Sequence, residues 1–288
     1  MLLVRADSLM DANKPQRAIE LFDQAIKKEP SANTYLSRAR AWYTMERMDR
    51  FVLDVDKALT YDSTNAEAHY QRALYSLRAN DTDRAVFHSS RAIHFATNDR
   101  LKGKAHLVRG EAFADDSDPA KAIADFEEGM RLGVEDPISM RMQARLYDAQ
   151  DRYADALRIL ERLNEIEPND IGHLTNIGFE LIMLERYDEA LPKIDQALEF
   201  DPDEPVALSN RAYVNMMRNN LDQAWSDVER SIRNFPSNPY ALRTRAMLRL
   251  RKGEREKACE DLGLAKALGD VPGVDQLIKD NCAEFQDR

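Results

Sequence analysis

The side chains able to do chemistry in this chain are scattered. Its five histidines, His69, His88, His94, His106 and His173, form neither a His-Glu-x-x-His run nor a cysteine–histidine set at zinc-site spacing. His88 and His94 stand six residues apart, which puts them on different faces of a helix. The two cysteines, Cys259 and Cys282, read as buried or half-buried thiols; a bridge between them would require an oxidising compartment. Acidic neighbours such as Asp115–Asp116 and Glu127–Glu128 could trade protons with a substrate, but in a chain with 32% charged residues such pairs are usually solvated helix faces. "RLKGKAH" has one glycine and no Walker ending, and no Gly-x-Ser-x-Gly elbow occurs. The chain therefore reads as a non-enzyme without catalytic residues, cofactor or metal; an enzyme or carbohydrate-handling protein is the distant alternative.

One constellation does recur. Arg38 and Asp54, Arg109 and Asp125, Arg211 and Asp227, and Arg245 and Asp261 are each sixteen residues apart. Where the arginine is replaced, by Gln143 or Ile177, the aspartate is replaced too, by Ile159 or Lys193; Arg72 with His88 is intermediate. Joint presence and absence implies contact between two segments. The pairs either fix the register of two helices or present a ladder of charge to a ligand.

The bulk composition narrows the partners. A net charge of −10 argues against a phosphate backbone and against anionic membrane surfaces, both of which select a surplus of Lys and Arg. No run approaches the ~18 apolar residues that span a bilayer. The start, "MLLVRADSLMDANKPQ", meets an aspartate within seven residues and holds no signal-peptide core. A cytoplasmic location is favoured; a periplasmic or exported form is the alternative if an N-terminal segment has been removed.

The elements that carry these residues are periodic. Ala190, Ala197 and Pro202 are matched by Ala18, Ala25 and Pro30, by Ala224, Ser231 and Pro236, and partly by Ala156, Leu163 and Pro168. Stops at Pro30, Ser63, Thr97, Val134, Pro168, Pro202 and Pro236 follow one another at steps of 33, 34, 37, 34, 34 and 34 residues, by subtraction along the numbering. Upstream of each, "LSRARAW", "YQRALYS", "LVRGEAF" and their counterparts hold a small residue that lets a neighbouring helix come close. Apolar residues spaced at three and four on both sides of short polar turns ("MERMD", "LERYD", "RNNLD") predict two amphipathic helices per unit. Such a hairpin cannot bury its apolar face alone, so the units must stack.

At this point the residues resemble a known family. Leu174, Ile177, Gly178 and Leu181, then Ala190, Ile194 and Pro202, fit the tetratricopeptide pattern at its 34-residue period. The resemblance covers nearly the whole chain, with units near 1–31, 32–65, 66–99, 103–136, 137–170, 171–204, 205–238 and 239–270, and with 272–283 read as a capping helix. The C-terminal "ACEDLGLAKALGD" stretch is similar to bacterial members. The resemblance implies an all-α, right-handed α-solenoid of eight hairpins in a single domain, acting as a protein-interaction scaffold.

Three departures stand out. Phe51 replaces the second-helix alanine, Pro192 falls early in a second helix where its missing N–H is least costly, and "NDRLKG" at 98–103 inserts three residues, which is expected to perturb the superhelix. The first unit begins about two residues in, which leaves room for a longer native chain.

In the resembling family the first helix of each unit lines a concave face that holds an extended peptide. Carried over residue by residue, that gives a groove of Arg141, Arg145, Asn176, Phe179, Met183, Asn210, Tyr213, Met217, Arg243, Met247 and Arg251, with Met142 beside it. Met-rich surfaces adapt to varied partners and arginine grips carboxylates with two hydrogen bonds. The same Met and aromatic residues would also suit packing between neighbouring helices, and both readings stay open. The cations of the family's dicarboxylate clamp are missing, since Val206 and Asn210 stand where Lys and Arg would be needed. The expected partner is a protein or peptide segment, or a second copy of the chain; nucleic acid and membrane insertion are not expected.

Overall fold

The computed structural model describes residues 2–283, and among them every regular element is a helix. Contacts gather the chain into two compact units that divide between Leu146 and Tyr147.

The first unit contains α1 (Leu2–Asp11), α2 (Pro15–Lys28), α3 (Ala32–Thr44), α4 (Met48–Tyr61), α5 (Ala66–Arg78), α6 (Thr82–Phe95), α7 (Asp99–Asp115) and α8 (Pro119–Arg131). The division falls inside α9 (Pro137–Asp148). The second unit continues with α10 (Tyr153–Ile166), α11 (Ile171–Met183), α12 (Tyr187–Phe200), α13 (Pro205–Met217), α14 (Leu221–Asn234), α15 (Pro239–Arg251), α16 (Arg255–Leu268) and α17 (Val274–Asn281). Within each unit consecutive helices pack pairwise as hairpins, and α17 covers the last of them.

Each hairpin turn is built the same way. One residue adopts the left-handed conformation, Asn13, Glu46, Asn80, Ser117, Asp151, Glu185, Asn219 or Gly253, and the next N–H reaches back five residues to the first helix, as in Arg47 to Trp42 and Arg186 to Leu181. That is the closure of a Schellman motif, which satisfies carbonyls a helix end would otherwise leave bare. Second helices are shaped by small residues: Ala18, Ala85, Ala122, Ala156, Ala190, Ala224 and Ala258 are fully buried. The first helices answer with their own. A Cβ on Gly178 would sit 2.5 Å from Ile194, so only glycine lets α11 and α12 approach this closely.

The insertion at 98–103 leaves the hairpin order intact. It lengthens one helix: α7 has 17 residues where α3, α5, α11, α13 and α15 have 13. Asn98 caps it by accepting from the Leu101 N–H at 2.9 Å.

All four arginine–aspartate pairs form within their hairpins, each through two hydrogen bonds of 2.6–2.9 Å. Each arginine also reaches back to the preceding second helix: Arg38 to Asp23, Arg109 to Ser90, Arg211 to Asp195 and Arg245 to Glu229. One guanidinium therefore ties three helices. The aspartates are buried and take a further donor, Trp42 on Asp54, His106 on Asp125, Gln223 on Asp227 and Arg249 on Asp261. Burial pushes the Asp125 carboxyl up, but the hydrogen bonds from Arg109 and His106 outweigh it and hold the group below the usual carboxylate range.

The third hairpin uses imidazoles. Arg72 keeps its link to the preceding helix through Asp56, at 2.8 Å, but His88 stands where the aspartate would be, with its Nδ1 3.0 Å from His69 Nδ1. His69 Nε2 lies 3.1 Å from the Ser63 carbonyl, so it donates there and its Nδ1 accepts from His88. His69 must be neutral for this arrangement, since its Nδ1 accepts. Burial lowers both rings, and His88, with His69, Arg72 and Arg84 adding to burial, falls to about 4. Asp56 and Asp62 pull the other way without cancelling it.

Cys259 and Cys282 do not stay as the thiols expected. A disulfide joins α16 to the end of α17, beside Val271 and Val274, which bury against Leu242, Ala258 and Leu262. The apolar end of the last hairpin needs a cover, and the bridge fixes that cover in place.

Two predictions follow from these pairs. Asp227→Ala removes the buried partner of Arg211 and leaves it only the half-exposed Asp195, at a cost of about 1–3 kcal/mol; a melting temperature equal to the parent's would instead assign the pairs to ligand. His88→Asp recreates in the third hairpin the His106–Asp125–Arg109 trio of the fourth. Because the folded values of His69 and His88 lie below the ordinary 6.5, the unfolded chain binds more protons between pH 6.5 and about 4, so stability is present above that window and falls through it. The variant is expected to melt higher at pH 7 and to lose less stability on acidification to pH 5 than the parent, as scanning calorimetry would measure.

Candidate functional site

Two surfaces gather side chains able to bind, one in each unit. In the first unit, α3, α5 and α7 present parallel rows to a cavity of about 870 Å³. The first helix contributes Asn33, Leu36, Ser37, Arg40 and Tyr43, the second Glu67, Tyr70, Gln71, Leu74, Tyr75 and Arg78, and the third Arg100, Leu101 and Lys104. Residues three, four and seven apart share a helix face, which is why each row points the same way. The floor is aromatic. Phe51, in the position where other second helices carry alanine, meets Tyr43 and Tyr75 with ring centroids 5.7 and 6.3 Å away.

The polar groups of the cavity are partly committed. Arg78 lies 5.4 Å over the Tyr43 ring and donates to its hydroxyl at 3.0 Å, and Arg40 pairs with Asp7 at 2.9 Å. Glu67 accepts from Gln71. Arg100 and Lys104 make no ion pair among the described residues. Tyr70 is pushed up to about 12 by burial and by the carboxylates of Glu67, Glu111 and Asp136, so its hydroxyl stays a neutral donor at any physiological pH. Burial also raises Glu111, against the hydrogen bond it accepts from Ser139.

In the second unit the same helix face is filled by its own side chains. Phe179 meets Tyr240 edge-on with centroids 5.4 Å apart, and Arg243 lies 4.9 Å over Tyr213 and 5.5 Å over Tyr240. Arg243 is 9% exposed, donates from Nη1 to the Pro272 carbonyl and has no partner at Nε. Burial lowers its pKa, and the three tyrosines, with Tyr187 the third, offset this only in part. Glu180 is buried with Oε2 unpaired; burial and then the Asp148 charge push it up to about 8.

A tetratricopeptide repeat model matches residues 3–65 and 180–239, and the same hairpin, turn and staple recur along the chain beyond those spans. The chain is a tetratricopeptide repeat protein. Its fold agrees with solved structures of such proteins: the C-terminal part of a repeat protein from Cytophaga hutchinsonii (TM-score 0.61, 18% identity, 84% of this chain and 98% of that one), PilF of Pseudomonas aeruginosa (0.61, 17%, 73% and 95%), and a repeat protein from Parabacteroides merdae (0.51, 15%, 96% and 96%). At these identities the likeness is one of fold. No curated protein matches the chain by sequence. Tetratricopeptide repeats are typically protein–protein interaction modules, and among the described residues no helix is long and apolar enough to cross a membrane.

Of the groove residues read from the sequence of this tetratricopeptide repeat protein, the structure brings Phe179, Tyr213 and Arg243 together around Tyr240. Asn210 is buried and donates to the Thr175 carbonyl, Met247 and Tyr213 lie half-buried against the α13–α15 core, and Arg251 donates to the Met216 carbonyl. Asn176 and Met217 are exposed and Met183 half-buried. Arg141 and Arg145 are exposed on the part of α9 that belongs to the first unit, where Met142 packs beside Leu107 and Phe126. The cavity of the first unit was missed, although its signal was present: Arg40, Leu74 and Glu111 occupy the register that Phe179, Tyr213 and Met247 hold later in the chain.

Glu180 supplies a prediction. Its folded pKa lies above the ordinary carboxyl value of 4.5, so the folded chain holds a proton that the unfolded chain releases, and stability falls as pH rises from about 4.5 through 8. Glu180→Gln keeps the shape without that proton. Its melting temperature is expected to match the parent's at pH 4.5 and to exceed it increasingly up to pH 8.5; parallel curves would place Glu180 in contact with water.

Proposed function

We propose that this tetratricopeptide repeat protein is an interaction scaffold that captures an extended segment of a partner protein along its first helices, without catalysing a reaction. The observation that carries the reading is the open cavity of the first unit, where three successive first helices turn aromatic rings, amides and cations toward one space. Peptide backbone needs donors and acceptors at regular intervals, and Asn33 and Gln71 offer amides from consecutive helices. Tyr43, Tyr70 and Leu74 offer apolar area for side-chain anchors. In the second unit the exposed Asn176, Met217 and Arg251, with half-buried Met183, are proposed as a contact surface of that unit's own, whereas Phe179, Tyr213 and Arg243 support it from beneath. The Cys259–Cys282 bridge suits work in an oxidising compartment.

The test is a selection of random twelve-residue peptides displayed on phage. It is run on the parent, on Tyr43→Ala/Tyr70→Ala and on Tyr213→Ala/Met217→Glu, each checked for unchanged helicity. A shared motif that enriches on the parent and disappears on the first variant is the expected result. Enrichment lost only on the second variant moves the site to the second unit, and no enrichment at all overturns capture of a linear segment.

A further inference from the structure

The insertion that interrupts the 34-residue period has a place in the cavity. The lengthened α7 begins at Asp99, and its added first turn carries Arg100 and Leu101 to the cavity wall, with Lys104 one turn on. With them, and with Arg40 already paired to Asp7, three cations, Arg78, Arg100 and Lys104, face one carboxylate, Glu67, in a chain whose net charge is −10.

A local surplus of this size within an acidic protein repels the cations from one another and is screened only beyond about a Debye length, ~8–10 Å in ordinary buffers. The arginines that tie the hairpins together, Arg38, Arg72, Arg109, Arg211 and Arg245, all have carboxylate partners. Arg100 and Lys104 have none. Their charge is left for something outside the chain, and beside it lie Leu36, Leu74 and Leu101 and the faces of Tyr43 and Tyr70.

We infer that the cavity selects an acidic segment, in which aspartate or glutamate side chains alternate with aliphatic or aromatic ones, and that the α7 insertion is the device that sets this choice. The inference rests on the capture reading above. The carboxylates meet Arg100, Lys104 and Arg78, while the apolar side chains lie on Tyr70 and Leu74. Guanidinium groups bind carboxylates through paired, charge-assisted hydrogen bonds, and complementary charge raises both selectivity and the rate of encounter.

The experiment uses the full chain and the same random twelve-residue peptides. Enriched peptides are expected to carry net negative charge. A synthetic copy of one of them, followed by fluorescence anisotropy, is expected to bind Arg100→Glu/Lys104→Glu at least about tenfold more weakly than the parent, and to weaken on the parent as salt rises from 50 to 500 mM. Neither residue holds an ion pair or lies in the core, so this variant keeps the parent's fold; circular dichroism checks it. Enriched peptides that are neutral or basic, or equal binding to parent and variant, would overturn the acidic preference and leave the capture reading standing. Loss of every cavity-dependent peptide, with Tyr43→Ala/Tyr70→Ala indistinguishable from the parent, would overturn both.

Discussion

The structure depends on an arginine that cannot be left alone. A guanidinium drawn in between three helices gives up most of its water, and the desolvation cost is recovered only where carboxylates meet it in good geometry. Arg38, Arg211 and Arg245 meet two acids each, one in their own hairpin and one in the hairpin before. Sliding either helix by a turn would strand both the arginine and its buried aspartate. The pairs therefore fix register more than they add stability, and they do so between hairpins as well as within them. Where the pair is absent, Ile159, Ile177 and Ile194 are fully buried and shape takes over the same task.

Register is what makes a binding surface out of separate helices. Within a unit, with each first helix starting at the same phase and each turn closed by a left-handed residue, side chains 34 positions apart face the same side. Arg40 and Leu74 share a wall for this reason. The three extra residues of α7 would destroy that phase if they were spread through the hairpin. Added as a turn before its start, they leave the phase intact, which is why Arg109 still meets Asp125 sixteen residues later.

Most of the fold was legible in the sequence because it rests on spacing. Small residues, stops and the sixteen-residue Arg–Asp interval are properties of position, and they place the hairpins, the staples and the capping helix. Chemistry that depends on a third partner was not legible. The second role of each arginine, toward Asp23, Asp195 or Glu229, links residues that no motif pairs. The His69–His88 contact replaces a charge pair with a neutral one, and the disulfide of Cys259 and Cys282 depends on how α17 folds back over α16.

The binding surface was harder still to read, and the reason is physical. Methionine and aromatic residues in the first-helix register signal area available for contact, but large side chains facing one another across a narrow space satisfy each other first. Phe179, Tyr213, Tyr240 and Arg243 do so in the second unit, at the expense of an arginine without a carboxylate partner and a neutral Glu180. In the first unit the same register holds Arg40 and Leu74, which do not pair with each other, and Arg78, Arg100 and Lys104 line the same space. A cavity lined by both charged and aromatic side chains lacks the Met and aromatic run that marks the second unit, so composition alone points away from it. Like charges and mixed polarity across a shared register are the signal that finds it.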